Sequence, residues 1–342
     1  MNKVSQTSPA DLIASPLYQV NLVLWMATKN NGGRVRPVFA NAGYEVLFIE
    51  RALNLPPELK QTLVQAGVTF VDPASPDFIL AGAKKSYVIL ECKKTMFGAD
   101  SSTAAQSRSL LLQVPRIFEL ALVKKAGSVT NVSLIYLSRQ DSKHDLLDGI
   151  NALAEHLKKA KFKTITAGAL SLHVSGKAIR LRQSGNVPQP LAHEVGIDAL
   201  EVQEVADDSD PRPLYLIPWL PDTESENDEY NKRAFAERVK LSAAQVIDSA
   251  RAGTDVEILL SDVLGLLTLG YDKNLSNAAY RRLKQESKGI LEKRFRSVKD
   301  VTILSLPDGA GWALTLKDDA AKESILNGLR AYEPPDPQVQ LF

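Results

Sequence analysis

An α/β fold with a second, mainly α domain is what this sequence predicts, on three observations. Up to residue 220, apolar runs of strand type alternate with segments of helical period. An acidic stretch then breaks the pattern. Beyond it, three helical segments precede two short strands joined by Pro307-Asp308-Gly309-Ala310-Gly311.

In chain order, residues 10–28 predict a helix from Pro16 onward, since proline fits a first turn. Asn30-Asn31-Gly32-Gly33 breaks it. Val35 to Ala40 is short and apolar, and strand and loop stay open there. Gly43 to Leu53 predicts a second helix, stopped by Pro56-Pro57, and Glu58 to Ala66 a third, with Gly67 at its C-terminal end. Val68 to Val71 predicts a strand. Phe78-Ile79-Leu80 and Tyr87-Val88-Ile89-Leu90 predict a hairpin, with Gly82 and Lys84-Lys85 at the turn. Ser101 to Lys125 is helical, with Pro115 set to kink or split it. Val132 to Leu137 predicts a strand, Asp145 to Ala160 an amphipathic helix, and Phe162 to Val174 and Ala178 to Leu181 two further strands. Gln183 to Pro190 reads as a loop and Leu214 to Trp219 as an edge strand.

These patterns divide the chain into a domain over 10–220, an acidic linker over 221–229 and a second domain over 230–334. The second domain predicts a helix from about Tyr230, a helix over Val256 to Leu269, and a turn at Tyr271 to Asn274. A helix over Asn277 to Phe295, strands over Val301 to Leu306 and Trp312 to Lys317, and a helix over Asp319 to Tyr332 follow.

The 342 residues are 44% hydrophobic and 24% charged, as in an ordinary water-soluble protein. A net charge of +1 hides an uneven distribution. Glu201 to Glu229 holds ten acids against Arg212, while Asn277 to Lys299 holds eight bases and two acids. One cysteine, Cys92, excludes an intrachain disulfide and a zinc site of the usual Cys/His type. His144, His156, His173 and His193 have no metal-binding spacing. No apolar run reaches membrane-spanning length and no signal peptide precedes Pro9, so the expectation is a cytoplasmic protein with no membrane partner.

The chemistry concentrates in Pro76-Asp77 and, fourteen positions on from Asp77, Glu91-Cys92-Lys93. Strand side chains alternate faces, so Glu91 and Lys93 point one way and Cys92 the other. Cys92 then reads as a core thiol. A hairpin would bring Asp77 beside Glu91, and two carboxylates with a lysine can hold a hard divalent cation and handle a water proton. The plain alternative is an α/β domain with two surface acids at strand ends.

The pattern resembles the PD-(D/E)XK, or restriction-endonuclease-like, nuclease superfamily, through Pro76-Asp77 and Glu91-Cys92-Lys93. The resemblance implies a restriction-endonuclease-like core with a mixed central sheet and a metal-dependent endonuclease that hydrolyses DNA phosphodiester bonds. It implies Asp77 and Glu91 as ligands of Mg2+ or Mn2+, with a main-chain carbonyl near Cys92 as third. Lys93 would orient or deprotonate the attacking water, or neutralise charge on the phosphorane. Some members carry a glutamine near the metal on the following helix, where Gln106 and Gln113 stand. Others carry an upstream helical acid, for which Glu45 and Glu50 are the candidates. Restriction or anti-phage defence suits such a nuclease.

Residues 230–332 resemble a winged helix-turn-helix in element order and charge. Arg281, Arg282, Lys284, Lys288, Lys293 and Arg294, continued by Arg296 and Lys299, form the expected DNA-binding stripe. Lys84, Lys85 and Lys94 could also meet phosphates, although exposed lysines usually form a solvated face. The alternatives are a non-catalytic DNA-binding or regulatory protein, or a nuclease subunit of a larger ATPase-containing complex. No G-x-x-x-x-G-K loop is present, so ATP dependence would come from a partner. A homodimer and a protein partner, an ATPase or other, stay open.

Overall fold

A computed structural model of the chain describes residues 8–94, 98, 101–122, 129–140, 146–205, 215–217, 229–251, 253–296, 298 and 301–330. They fall into two compact units. The first comprises residues 8–205 and 274–276; the second comprises 215–217, 229–273 and 277–330. No described helix is long and apolar enough to cross a membrane.

The first unit is an α/β structure. Its elements are α1 (Pro9–Leu12), α2 (Pro16–Met26), α3 (Val38–Asn41), β1 (Glu45–Ile49), α4 (Pro57–Gln65), β2 (Phe78–Ala81), β3 (Ser86–Lys93), α5 (Ser102–Leu111) and α6 (Pro115–Leu122). They continue with β4 (Asn131–Arg139), α7 (Leu146–Lys159), β5 (Thr166–Ser175), β6 (Ala178–Gly185), α8 (Gln189–Val195) and β7 (Leu200–Glu204). The seven strands form one mixed sheet in the order β1-β2-β3-β4-β5-β6-β7. β1, β2 and β3 meander antiparallel. β3, β4 and β5 run parallel, which requires crossovers, and α5–α6 and α7 supply them. β6 and β7 return antiparallel.

Side-chain alternation divides the core into two layers. Ile79, Ile89, Leu134, Tyr136 and Ala167 share one apolar cluster with Leu110 and Leu111 of α5, Phe118 of α6 and Ile150 and Leu153 of α7. The Tyr87 and Phe118 rings meet there, centroids 5.3 Å apart. The opposite face, with Val88, Leu90 and Cys92, packs against α2, every residue of which is buried. A helix apolar on nearly all sides belongs inside a core.

Several expectations are corrected. Gly43 to Leu53 holds β1, not a helix: Val46, Phe48 and Ile49 pair with Leu80, Ile79 and Phe78, and β-branched and aromatic residues favour that state. Val35 to Ala40 is neither strand nor pure loop, since α3 begins at Val38. Val68 to Val71 is irregular; Val71 exchanges hydrogen bonds with the Ser109 hydroxyl and not with a strand. The helical stretch after β3, by contrast, splits at Pro115 as expected, and Pro115 opens α6. β6 continues to Gly185 and α8 begins at Gln189, so the loop over Gln183 to Pro190 shrinks to its middle. β7 has no counterpart among the predicted strands, since it lies in a run of acids that reads as a connector. Tyr215 to Ile217 forms bends and no strand, and the rest of Leu214 to Trp219 lies outside the described residues.

The second unit comprises α9 (Glu229–Asp248), β8 (Asp255–Leu259), α10 (Leu260–Leu267), α11 (Asn277–Phe295), β9 (Ile303–Ser305), β10 (Gly311–Thr315) and α12 (Asp319–Arg330). Its sheet has the order β8-β10-β9, all antiparallel. The helix expected over Val256 to Leu269 divides into β8 and α10, with Val256 and Ile258 paired to Leu314 and Trp312. Phe295 of α11 meets Trp312 edge-on at 5.1 Å, fixing the long helix to this small sheet. The acidic linker loses Glu229 to α9; residues 221–228, like 331–334, lie outside the described residues.

Cys92 is 4% exposed on the α2 side of β3. Replacing Cys92 with Ala leaves a small void and should cost about 1 kcal/mol in a urea denaturation series. Any activity of the Glu91–Lys93 face should persist. Loss of activity at unchanged folding would contradict the assigned strand phase.

Candidate active site

The register of β2 and β3 builds the site. Phe78 pairs with Leu90, so the next pair outward sets Asp77 opposite Glu91. A backbone bond fixes it, since the Cys92 N–H donates to Asp77 Oδ2 at 2.6 Å. The N–H of Glu50 also donates to the Asp77 carbonyl at 3.1 Å. Glu91 is 1% exposed. Its Oε2 lies 2.7 Å from Lys93 Nζ, two residues along the same face. Its Oε1 accepts from Gln106 Nε2 at 3.1 Å.

Helix α5 is held where Gln106 can make that contact. It starts at the cap of Ser101, whose hydroxyl accepts from the N–H of Ala104. Arg108 reaches Thr69 Oγ1, Ser109 bonds the backbone of Val71, and Gln106 Nε2 also donates to the Ser75 carbonyl. These bonds tie the helix to the chain leading into Asp77. Across the sheet, Glu91 pairs with Tyr136, whose hydroxyl donates to Ser107 Oγ at 2.7 Å. Burial, and after it the Glu91 carboxylate, pushes the Tyr136 phenol up and keeps it neutral.

The electrostatics follow from two acids and one base in a desolvated corner. Burial raises Asp77, against the lowering pull of Lys93 and the Cys92 N–H. Burial raises Glu91 to about 7; Lys93 and Gln106 oppose this and Asp77 adds to it. Burial alone would lower the Lys93 ammonium, but Glu91 and Asp77 outweigh it and hold it above an ordinary lysine. Lys93 is therefore a cation at neutral pH. Burial, then Asp77 and Glu91, pushes the Cys92 thiol far up, so it is no nucleophile.

Of the residues expected from sequence, Asp77, Glu91, Lys93 and Gln106 come together. Gln113 does not: α5 ends at Leu111, and the fully buried Gln113 side chain has no hydrogen-bond partner among the described residues. Glu45 and Glu50 are not helical acids. Glu45 is exposed on β1, and Glu50 follows it at φ 53. The residue missed is Gln19. This fully buried side chain of α2 donates to the Ile13 and Lys93 carbonyls at 2.8 and 3.2 Å, bracing β3 from behind. A lone glutamine inside an apolar helical run was its signal.

Among the described residues, no group of three or more His, Cys, Asp or Glu side chains could hold a metal ion. Asp77 and Glu91 remain as a pair of hard oxygen donors, a set that suits a cation retaining several waters. A cavity of about 630 Å³ between residues 29–37 and β7 includes none of these residues.

In the second unit all six expected basic residues lie on α11, with Ala279, Leu283, Ser287, Leu291 and Phe295 on its buried side. Arg281 and Lys293 are exposed, and Arg282, Lys284, Lys288 and Arg294 are half-buried. Arg281, Lys284 and Lys288 share one side by their spacing. Lys288 lies 3.6 Å from Glu292 Oε1, and Arg294 Nε donates to the Gly328 carbonyl, so Arg294 is committed to the fold. Lys299 lies outside the described residues.

Glu91 should give the metal-free protein a measurable pH dependence. The unfolded carboxyl ionises near 4.5 and the folded one near 7, so the folded state binds more protons between those values. Stability should therefore fall as pH rises from 4.5 to 7 and level off above, by on the order of 3 kcal/mol. Urea titrations across this range should show that fall, and Glu91→Gln should remove most of it.

No protein-family model, curated protein or solved structure matches this chain.

Proposed function

We propose that the chain is a metal-dependent endonuclease of the PD-(D/E)XK kind, with DNA as substrate. One observation carries the reading: strand register and a backbone hydrogen bond bring Asp77, Glu91 and Lys93 together, with Gln106 closing on Glu91. The strand order also supports it. An antiparallel meander ending in the E-x-K strand leads by helices to a parallel strand, and the acids sit at that strand's C-terminal end.

Asp77 and Glu91 would hold Mg2+ or Mn2+. Neither a third protein carboxylate nor a histidine is needed, since magnesium keeps waters and also takes substrate phosphate oxygens. When bound, such an ion supplies a polarised phosphate and a water of lowered pKa. Gln106 and Lys93 fix the Glu91 carboxylate by its two oxygens, one each. Lys93 is a cation here, so its role is to offset charge developing on the phosphorane, and not to abstract a proton from water. Tyr136 and Ser107 wall the buried side of Glu91 without contributing charge.

The second unit reads best as the DNA-holding module. Its order of helix, strand, helix, helix, strand, strand, with β8 beside β10, supports the winged-helix resemblance. Arg281, Lys284 and Lys288 offer phosphate contacts that carry no sequence information.

Purified protein should cut duplex DNA with Mg2+ or Mn2+ and stop on addition of a chelator. Asp77→Ala, Glu91→Ala and Lys93→Ala should each lower the rate at least about 100-fold, an effect of the size general acid–base and charge-stabilising groups have, with the fold retained by circular dichroism. A folded Glu91→Ala protein that cuts normally would sink the reading.

Replacing Arg281, Arg282 and Lys284 together with alanine should weaken DNA binding in fluorescence anisotropy. The slope of log affinity against log salt should flatten by roughly one for each phosphate no longer neutralised. An unchanged slope would assign α11 to a protein partner.

A further inference from the structure

The geometry points to a second DNA-binding surface within the first unit: the open face of the sheet beside Lys93, ending at Arg182, binds the sugar–phosphate backbone flanking the cut. This rests on the nuclease reading and specifies how that site would hold its substrate. Register carries the argument. Lys93 pairs with Ser138, Ser138 with Ser171, and Ser171 with Arg182, so the four side chains form one row across β3, β4, β5 and β6. Paired residues share a face, so the row lies on the Glu91 side of the sheet. The next polar pair outward on the same face is His173 with Arg180.

Toward the other end of the sheet this face is apolar and covered, with α7 packed on β5. From Ser171 outward it is polar and partly exposed among the described residues. Ser171, His173 and Arg180 are half-buried and Arg182 is exposed. These polar positions include two arginines and no acid. Arg180 lies 3.6 Å from Glu201 on β7, so part of its charge is answered. Arg182 has no hydrogen-bond or ion-pair partner among the described residues. The imidazole of His173 is lowered by burial and by Arg182 and Arg180, which places all three groups within one field.

The spacing suits a nucleic acid. Three strand-to-strand steps of about 4.8 Å put Arg182 about 14 Å from Lys93. At about 3.4 Å of axial rise per nucleotide, a row of that length lying along the helix axis covers about four base-pair steps of B-DNA. Between them Ser138 is buried and Ser171 half-buried, so the floor between the two cations is low and lets a backbone lie close to the sheet.

The test uses the full chain carrying Glu91→Gln, so that DNA is bound and not cut, with and without Arg182→Ala. Anisotropy with a fluorescent duplex over a salt series reads the outcome. Arg182→Ala should weaken binding roughly fivefold and reduce the log–log salt slope by roughly one. In the cleaving protein, Arg182→Ala should raise KM and leave kcat, as loss of uniform binding does. Lys163→Ala removes an equal exposed charge between α7 and β5, away from the row, and should do neither. Equal affinity and slope with Arg182→Ala, while the parent binds and wild type cuts, overturns this surface and leaves the nuclease reading standing. An equal loss from Lys163→Ala overturns it too, since the effect would then be general charge. A wild type that neither binds nor cuts DNA overturns the nuclease reading itself.

Discussion

Everything at the candidate site depends on one short register, that of β2 against β3. Phe78 beside Leu90 places Asp77 beside Glu91, and the Cys92 N–H locks the aspartate carboxylate onto the end of the strand. A slip of one residue would turn Glu91 and Lys93 to the α2 side and expose Cys92 to α5. The register is specified because both faces are buried. Val88 and Leu90 fit against α2, while Ile79 and Ile89 fit against the opposite helices. The apolar core thus sets the position of the polar groups, and the bonds from α5 to Thr69, Val71 and Ser75 then fix what faces them.

That arrangement is electrostatically incomplete. Two carboxylates stand in a desolvated corner with one ammonium, and the net charge is negative once both ionise. A fold selected for stability alone has no reason to bury Glu91 at 1% exposure, because an apolar residue of that size would avoid the desolvation. The neighbours moderate the charge without neutralising it. Gln106 and Lys93 each take one oxygen of Glu91, and Tyr136 spends its hydroxyl on Ser107. Groups perturbed by burial together with a specific charge partner cluster at functional sites. Under the proposed reading, a divalent cation would turn that net charge from negative to positive and so suit the corner to a phosphate oxygen.

The site was more legible in sequence than the frame around it. β3, β4 and α7 carry strong periodic or β-branched signals, and strand alternation alone put Cys92 opposite Glu91 and Lys93. Gly43 to Leu53 misled because its apolar residues also satisfy a helical spacing. The density of Tyr, Val, Phe and Ile in Tyr44 to Ile49 was the better guide. Val256 to Leu259 failed in the same way, as a strand running directly into α10 without a turn residue between them. Gln113 failed because a heptad spacing to Gln106 has meaning only within one helix, and α5 ends between them. Gln19 could not be placed, since its partners Ile13 and Lys93 are set by tertiary packing.

Charge counted along the chain misled for a related reason. The run of ten acids from Glu201 to Glu229 reads as one connector, yet Glu201 and Glu204 belong to β7 and Glu229 to α9. Glu201 faces Arg180 across the sheet, so that acid tempers a basic strand within the first unit and does not act as a tether. Exposed charges act over roughly 8 Å at physiological salt, a distance set by strand pairing and not by sequence separation. The two arginines of β6 carry little weight in a count along the chain, because they stand among neutral residues. Registered against Lys93 through Ser138 and Ser171, Arg182 adds a second positive charge on the Lys93 face of the sheet, with Arg180 behind it paired to Glu201.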